Sequence, residues 1–108
     1  MIYELRNYAC VPAQLPRLLK RFENLTLPYW KKYGIRPVGF WTVLIGDGTE
    51  VLYYLLAWES LAEREQKFPA FMADPDWEKA RLDSEKDGPM VAYVKSTILK
   101  PTTFSAMQ

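Results

Sequence analysis

The segment VGFWTVLIGDGTEVLYYLLAWES, residues 38–60, is apolar on both faces of any strand it forms, and this constrains the fold more than any other feature. Successive side chains of a strand point to opposite sides, so a sheet wetted on one face reads apolar, polar, apolar. Asp47-Gly48 is a favoured pair for a two-residue type I′ hairpin loop, which predicts Trp41 opposite Tyr54, Val43 opposite Leu52 and Gly39 opposite Leu56. Phe40, Thr42, Leu44, Val51, Tyr53, Leu55 and Ala57 then occupy the other face. Each face needs a cover.

The rest of the chain limits what that cover is. With 108 residues, 49% of them hydrophobic and 15% aromatic, the chain fits one domain spanning 1–108 and can bury a core. Lys and Arg number 14 against 13 Asp and Glu, which leaves no electrostatic footprint for nucleic acid or an anionic membrane. The longest apolar run, Val51 to Trp58, is far short of the roughly 20 residues that span a bilayer, so no membrane insertion is expected. The opening MIYELRNY alternates like a strand rather than reading as a charged n-region and an apolar core, so the expected location is cytoplasmic. There is no histidine, which removes the commonest general base and the usual zinc or haem ligand. The only cysteine, Cys10, makes neither an intrachain disulfide nor a Cys-x-x-Cys centre, and its neighbours in sequence carry no cation to lower its pKa. No metal site and no cofactor are expected.

Regular elements are separated by clear punctuation. Ile2 to Cys10 reads as a strand. Leu15, Leu18, Leu19, Phe22, Leu25, Tyr29 and Tyr33 recur at helical spacing, with Pro28 expected to kink the helix and Gly34 to end it in a left-handed cap. Lys31 and Lys32 complement the negative end of its dipole. After the hairpin, Ser60-Leu61-Ala62-Glu63 is a capping box opening a helix whose apolar face is Leu61, Phe68, Phe71 and Met72. Asp74-Pro75 then restarts the helix, with Trp77 as its anchor, to about Lys86. Val91 to Leu99 is the last strand.

Strand, helix, strand, strand, helix, strand folds most simply as an α+β, ferredoxin-like sheet with both helices on one face. The second face lacks a cover from within the chain. About seven large side chains there, at roughly 1.5–3 kcal/mol each, represent a gross drive to associate above 10 kcal/mol. A homodimer packed sheet to sheet is therefore expected, with either hairpin face open as the shared one.

IYELRNY, LPYWKKYGIRPVGFW, IGDGTEVLYYLLAWESLAERE and ADPDW together resemble the NIPSNAP family of the dimeric α/β-barrel superfamily, in the right order and over nearly the whole chain. The resemblance implies the same ferredoxin-like sheet, paired into a dimeric α/β barrel. The superfamily includes haem enzymes and cofactor-free oxygenases, but fold alone does not transfer function.

Glu4 and Arg6 are anomalous, because this strand is central in the ferredoxin-like order and buried charge must be paired or placed around a polar cavity. One reading is a structural ion pair. The other makes Arg6 the anchor for a small aromatic or acyl anion, in a pocket lined by Glu4, Tyr8, Trp41 and Tyr54. Three functions follow: a homodimeric small-molecule-binding protein, a cofactor-independent enzyme of monooxygenase-like or enolate-stabilising type, or a dimeric interaction module without chemistry.

Overall fold

The computed structural model describes all 108 residues. It runs β1 (Ile2–Cys10), α1 (Leu15–Arg21), a π-helical turn (Phe22–Thr26), α2 (Leu27–Tyr33), β2 (Arg36–Thr42), β3 (Val51–Trp58), α3 (Leu61–Met72), α4 (Pro75–Ser84) and β4 (Val91–Leu99). The strands form one antiparallel sheet in the order β2-β3-β1-β4, the ferredoxin-like arrangement. Alternate residues of β3, Leu52, Tyr54, Leu56 and Trp58, are at most 1% exposed and form one core with Leu18, Phe22, Trp30, Phe68, Phe71 and Trp77 of the helical layer. Phe22 is the hub. Its ring lies 5.3–5.7 Å, centroid to centroid, from Tyr8, Trp30, Phe40 and Tyr54, in the tilted and edge-on geometries aromatic pairs favour. No helix is long and apolar enough to cross a membrane.

Before Pro28, where the sequence predicts a kink, the helix takes a wider turn. Proline has no N–H to donate, and its ring collides with the carbonyl four residues back. Here the backbone opens into a π turn in which Leu27 N–H donates to the Phe22 carbonyl, five residues back. The helix continues past the proline, and both Phe22 and Thr26 are buried. Gly34 then closes α2 in the left-handed conformation, at φ 72°.

The second helical pair follows its caps. Glu63 N–H donates to Ser60 Oγ at 3.2 Å, while the Glu63 carboxylate accepts from Glu59 N–H, one residue before the cap. The inward stripe of α3 is Arg64, Phe68 and Phe71, whereas Leu61 and Met72, expected on it, are 57% and 49% exposed. Arg64 holds the inward position one turn after Leu61 and reaches the sheet. Asp74 Oδ1 accepts from the N–H groups of Asp76 and Trp77 and caps α4. Its other oxygen accepts from Tyr33 Oη and, at 3.1 Å, from Lys32 Nζ, so Lys32 answers a carboxylate as well as a helix dipole. Burial pushes the Cys10 thiol up, and the opposing pull of Arg21 is the smaller effect.

The hairpin register differs from the expected one by a single residue. Pro37 pairs with Leu56, Val38 is inserted as a bulge, and Gly39, Phe40 and Trp41 then pair with Leu55, Tyr54 and Tyr53. Pro37 cannot donate to the ladder, and a bulge beside it shifts every later residue to the opposite face. The two-residue Asp47-Gly48 loop is replaced by an irregular connection over residues 43–50, in which Leu44 and Ile45 are almost fully exposed. Phe40 accordingly faces the helices with Tyr54, and Trp41 faces the other way. On that outer face the Trp41 ring lies across Gly39, where a Cβ would come within 2.8 Å of it.

The outer face is not wholly bare. Residues 100–108 fold back along it, with Tyr3 Oη donating to the Gln108 carbonyl at 2.6 Å, and Tyr3 and Ala57 are buried. Trp41, Tyr93 and Leu99 remain 53%, 57% and 41% exposed.

Gly34→Ala should lower stability by about 1–2 kcal/mol in urea unfolding, because the left-handed backbone disfavours any Cβ and this one would meet Lys67 Nζ at 3.2 Å. Gly34→Asn should cost less, since asparagine tolerates that conformation.

Candidate functional site

β1 lies between β3 and β4, and its alternation turns Glu4, Arg6 and Tyr8 towards the helices. The Glu4 carboxylate is 0% exposed. Oε1 accepts from Trp58 Nε1 and Arg64 Nε, each at 3.0 Å. Oε2 accepts from Ser96 Oγ at 2.6 Å, Arg6 Nη1 at 3.0 Å and Arg64 Nη2 at 3.2 Å. Five hydrogen bonds from β1, β3, β4 and α3 thus meet on one side chain. Burial by itself would raise its pKa, but the bonds from Arg64, Ser96 and Arg6 outweigh that and hold it at about 2.

Arg6 completes the cluster. Its Nε donates to Tyr54 Oη at 2.7 Å and its Nη2 to Tyr8 Oη at 3.3 Å. The Phe68 ring centre lies 4.9 Å from the Arg6 guanidinium carbon and 5.1 Å from that of Arg64, so one ring serves two cations. Burial pushes the Tyr54 hydroxyl well above the usual phenol value, against the pull of Arg6. Tyr54 therefore stays a neutral phenol: it accepts from Arg6 and keeps its own proton to donate.

Of the residues expected to line a pocket, Glu4, Arg6, Tyr8 and Tyr54 lie together. Trp41 does not join them, because the bulge at Val38 puts it on the outer face opposite Tyr53. Sequence reasoning missed Arg64 and Ser96. A signal existed for Arg64, a cation one turn before Phe68 on a stripe that is otherwise aromatic. Ser96 carries no such signal, since only the β1–β4 register, which pairs Arg6 with Ser96, brings it near.

The access route is set by β4. Val94, Ser96 and Ile98 share the face of Arg6, yet Val94 and Ile98 are each 42% exposed, so the helical layer stops short of this edge strand. Arg6, with 11% of its side chain exposed, sits at the margin of the covered region.

The NIPSNAP family model matches residues 3–106. The chain belongs to the NIPSNAP family. A NIPSNAP family protein of unknown function from Agrobacterium tumefaciens is 28% identical, with a TM-score of 0.86 over 100% of this chain and 94% of that one. A NIPSNAP-like domain protein from Burkholderia xenovorans is 23% identical, with a TM-score of 0.85 over 96% and 87% of the two chains. The fold is also shared with a Deinococcus radiodurans protein provisionally assigned as an antibiotic biosynthesis monooxygenase, 14% identical, with a TM-score of 0.64 over 100% and 99%. No curated protein matches the chain.

In this NIPSNAP domain the depressed pKa of Glu4 ties folding to pH. A carboxyl at about 2 in the folded state and 4.5 ordinarily contributes stability that is fully present above pH 4.5 and is lost as pH falls through 2. The loss should amount to about 3 kcal/mol, read as a falling urea midpoint across that window. Glu4→Gln should flatten the acid limb and, at neutral pH, cost roughly 3–5 kcal/mol by leaving two guanidiniums without their carboxylate.

Proposed function

We propose that this NIPSNAP protein is a homodimer that binds a small aromatic or acyl anion at Arg6. The supporting observation is the charge count in the buried cluster: two guanidiniums, Arg6 and Arg64, share one buried carboxylate. Arg64 alone engages both Glu4 oxygens, and Trp58 and Ser96 add further donors, so Glu4 is satisfied without Arg6. Arg64 also meets Glu65, but that carboxylate is 65% exposed and its charge is screened by solvent. A purely structural ion pair needs one guanidinium. The second is an excess cation in the sheet, where an anionic ligand entering beside β4 offsets its desolvation. Three of the five Arg6 N–H groups are engaged, which leaves donors for a two-point contact with a carboxylate.

An enolate-stabilising enzyme is the second reading, favoured by the protonated Tyr54. A neutral phenol and a fixed guanidinium around one point are the kind of preorganised donors that hold a developing oxyanion.

The second copy of the chain covers the outer face. Trp41, Tyr93 and Leu99 are exposed there, and two sheets packed face to face bury all three.

A thermal-shift series with benzoate and hexanoate, against the corresponding amides, tests the Arg6 site. The carboxylates should raise the Tm of the wild type, and Arg6→Met should abolish the shift while leaving stability without ligand unchanged or slightly higher. Arg6→Met that instead costs several kcal/mol, together with a flat wild-type screen, would return Arg6 to a structural role and leave the interaction module as the surviving reading.

Sedimentation at micromolar concentration should give about twice 12.6 kDa. Trp41→Lys should yield a folded monomer and Phe40→Lys an unfolded chain, because the two side chains lie on opposite faces. A wild-type monomer would overturn the dimer.

A further inference from the structure

Four buried polar atoms have no hydrogen-bond partner within the helical layer: Arg21 Nε, Thr26 Oγ1, Trp30 Nε1 and Trp77 Nε1. Their residues are all at least nine-tenths buried, at 8%, 3%, 1% and 4% exposure. An unpartnered buried donor is costly, and native interiors hold few. All four residues line the same cavity, of about 60 Å³, which Tyr8 and Phe68 separate from the Glu4–Arg6 cluster. The π turn contributes to this: Thr26 is its last residue, and such turns recur at functional sites.

The chemistry of the lining selects the occupant. A guanidinium Nε–H and two indole N–H groups only donate, and Thr26 adds a hydroxyl that can donate too. No lining side chain is a carboxylate or an amide. A water that accepted these donors would still have two protons to place, and among the lining side chains only the Tyr8 and Thr26 oxygens accept. An oxyanion has lone pairs and no protons to place. Charge agrees with this. Arg21 and Arg81 both line the cavity and share one carboxylate, Glu85, at 2.9 and 3.6 Å, which leaves one positive charge in excess. A volume of this size holds about four water-sized spheres, enough for a group of three or four heavy atoms. Met72, half exposed, and Arg81 stand at its mouth.

We propose that this cavity is a binding site for a small oxyanion of carboxylate size, held by Trp30, Trp77, Thr26 and Arg21. It is a different site from the one at Arg6 and does not depend on it.

The protein has four tryptophans, so its ¹H–¹⁵N spectrum carries four indole signals, assigned by single Trp→Phe variants. The probe is sodium formate, titrated against sodium chloride at matched ionic strength. The Trp30 and Trp77 signals should shift and saturate with formate. Trp41, exposed on the outer face, and Trp58, bonded to Glu4, should not follow them. Thr26→Val, which keeps the side-chain shape, should raise the apparent Kd about ten-fold, as the loss of one hydrogen bond to a charged acceptor predicts. Arg6→Met should leave the formate titration unchanged. An equal response to chloride, no saturating shift of Trp30 and Trp77, or an unchanged Kd in Thr26→Val would overturn the site. Loss of the response in Arg6→Met would overturn it as well, by placing formate at Arg6, so this site and the Arg6 site stand or fall separately.

Discussion

A carboxylate with no exposed surface in the central strand of a sheet is expensive to desolvate, and much of the local architecture follows from satisfying it. Glu4 draws one donor from β3, one from β4, one from its own strand and two from α3. These bonds come from segments far apart in sequence, so the carboxylate fixes how α3 sits over the sheet and how β4 sits beside β1. Hydrophobic burial supplies the bulk of the folding drive but has little direction. The Glu4 cluster supplies direction. A shift of α3 by one residue would turn Arg64 away from Glu4, and the sheet would then carry an underpaired buried charge.

The order of elements was legible because their signals are local. The Gly34 cap, the Ser60 and Asp74 caps and the alternation of Ile2 to Cys10 each report a backbone preference within a few residues. Register was not legible in the same way. Asp47-Gly48 is a strong turn signal in isolation, yet the pairing begins at the far end of the strand, where Pro37 lacks a donor and Val38 bulges out. Because the strand period is two, that one residue moved Phe40 into the core and Trp41 out of the expected pocket. The outer face shows the same limit. Its partial cover comes from residues 100–108, a segment with no helix or strand periodicity, whose placement depends on tertiary contacts such as that of Tyr3 with Gln108.

Candidate-site residues divide along the same line. Glu4, Arg6 and Tyr8 share one strand face, so their grouping needed only the pleat, and Tyr54 joined them because β3 pairs directly with β1. Arg64, Ser96 and Trp58 complete the cluster through three different tertiary relations. The four unpartnered groups of the helical cavity were further from view. Trp77 reads as a helix anchor, and both it and Trp30 are core residues, but nothing in a linear sequence shows whether an indole nitrogen within a core has found an acceptor.

The two donor-rich regions share a wall. Tyr8 accepts from Arg6 on one side and lines the helical cavity on the other, while Phe68 stacks on Arg6 and lines the same cavity. Setting aside exposed Glu65, which Arg64 also meets, cations outnumber carboxylates on both sides of it, as Arg6 with Arg64 over Glu4 and as Arg21 with Arg81 over Glu85. Two surpluses of like sign inside one small domain repel each other and are not stabilising by themselves. A structural role needs only as many cations as there are carboxylates to neutralise. Counting only Glu4 and Glu85, each side of the Tyr8–Phe68 wall holds one guanidinium more than it needs; Arg64 and Arg81 keep part of their surface in solvent, and on the reading proposed above an entering anion offsets what remains.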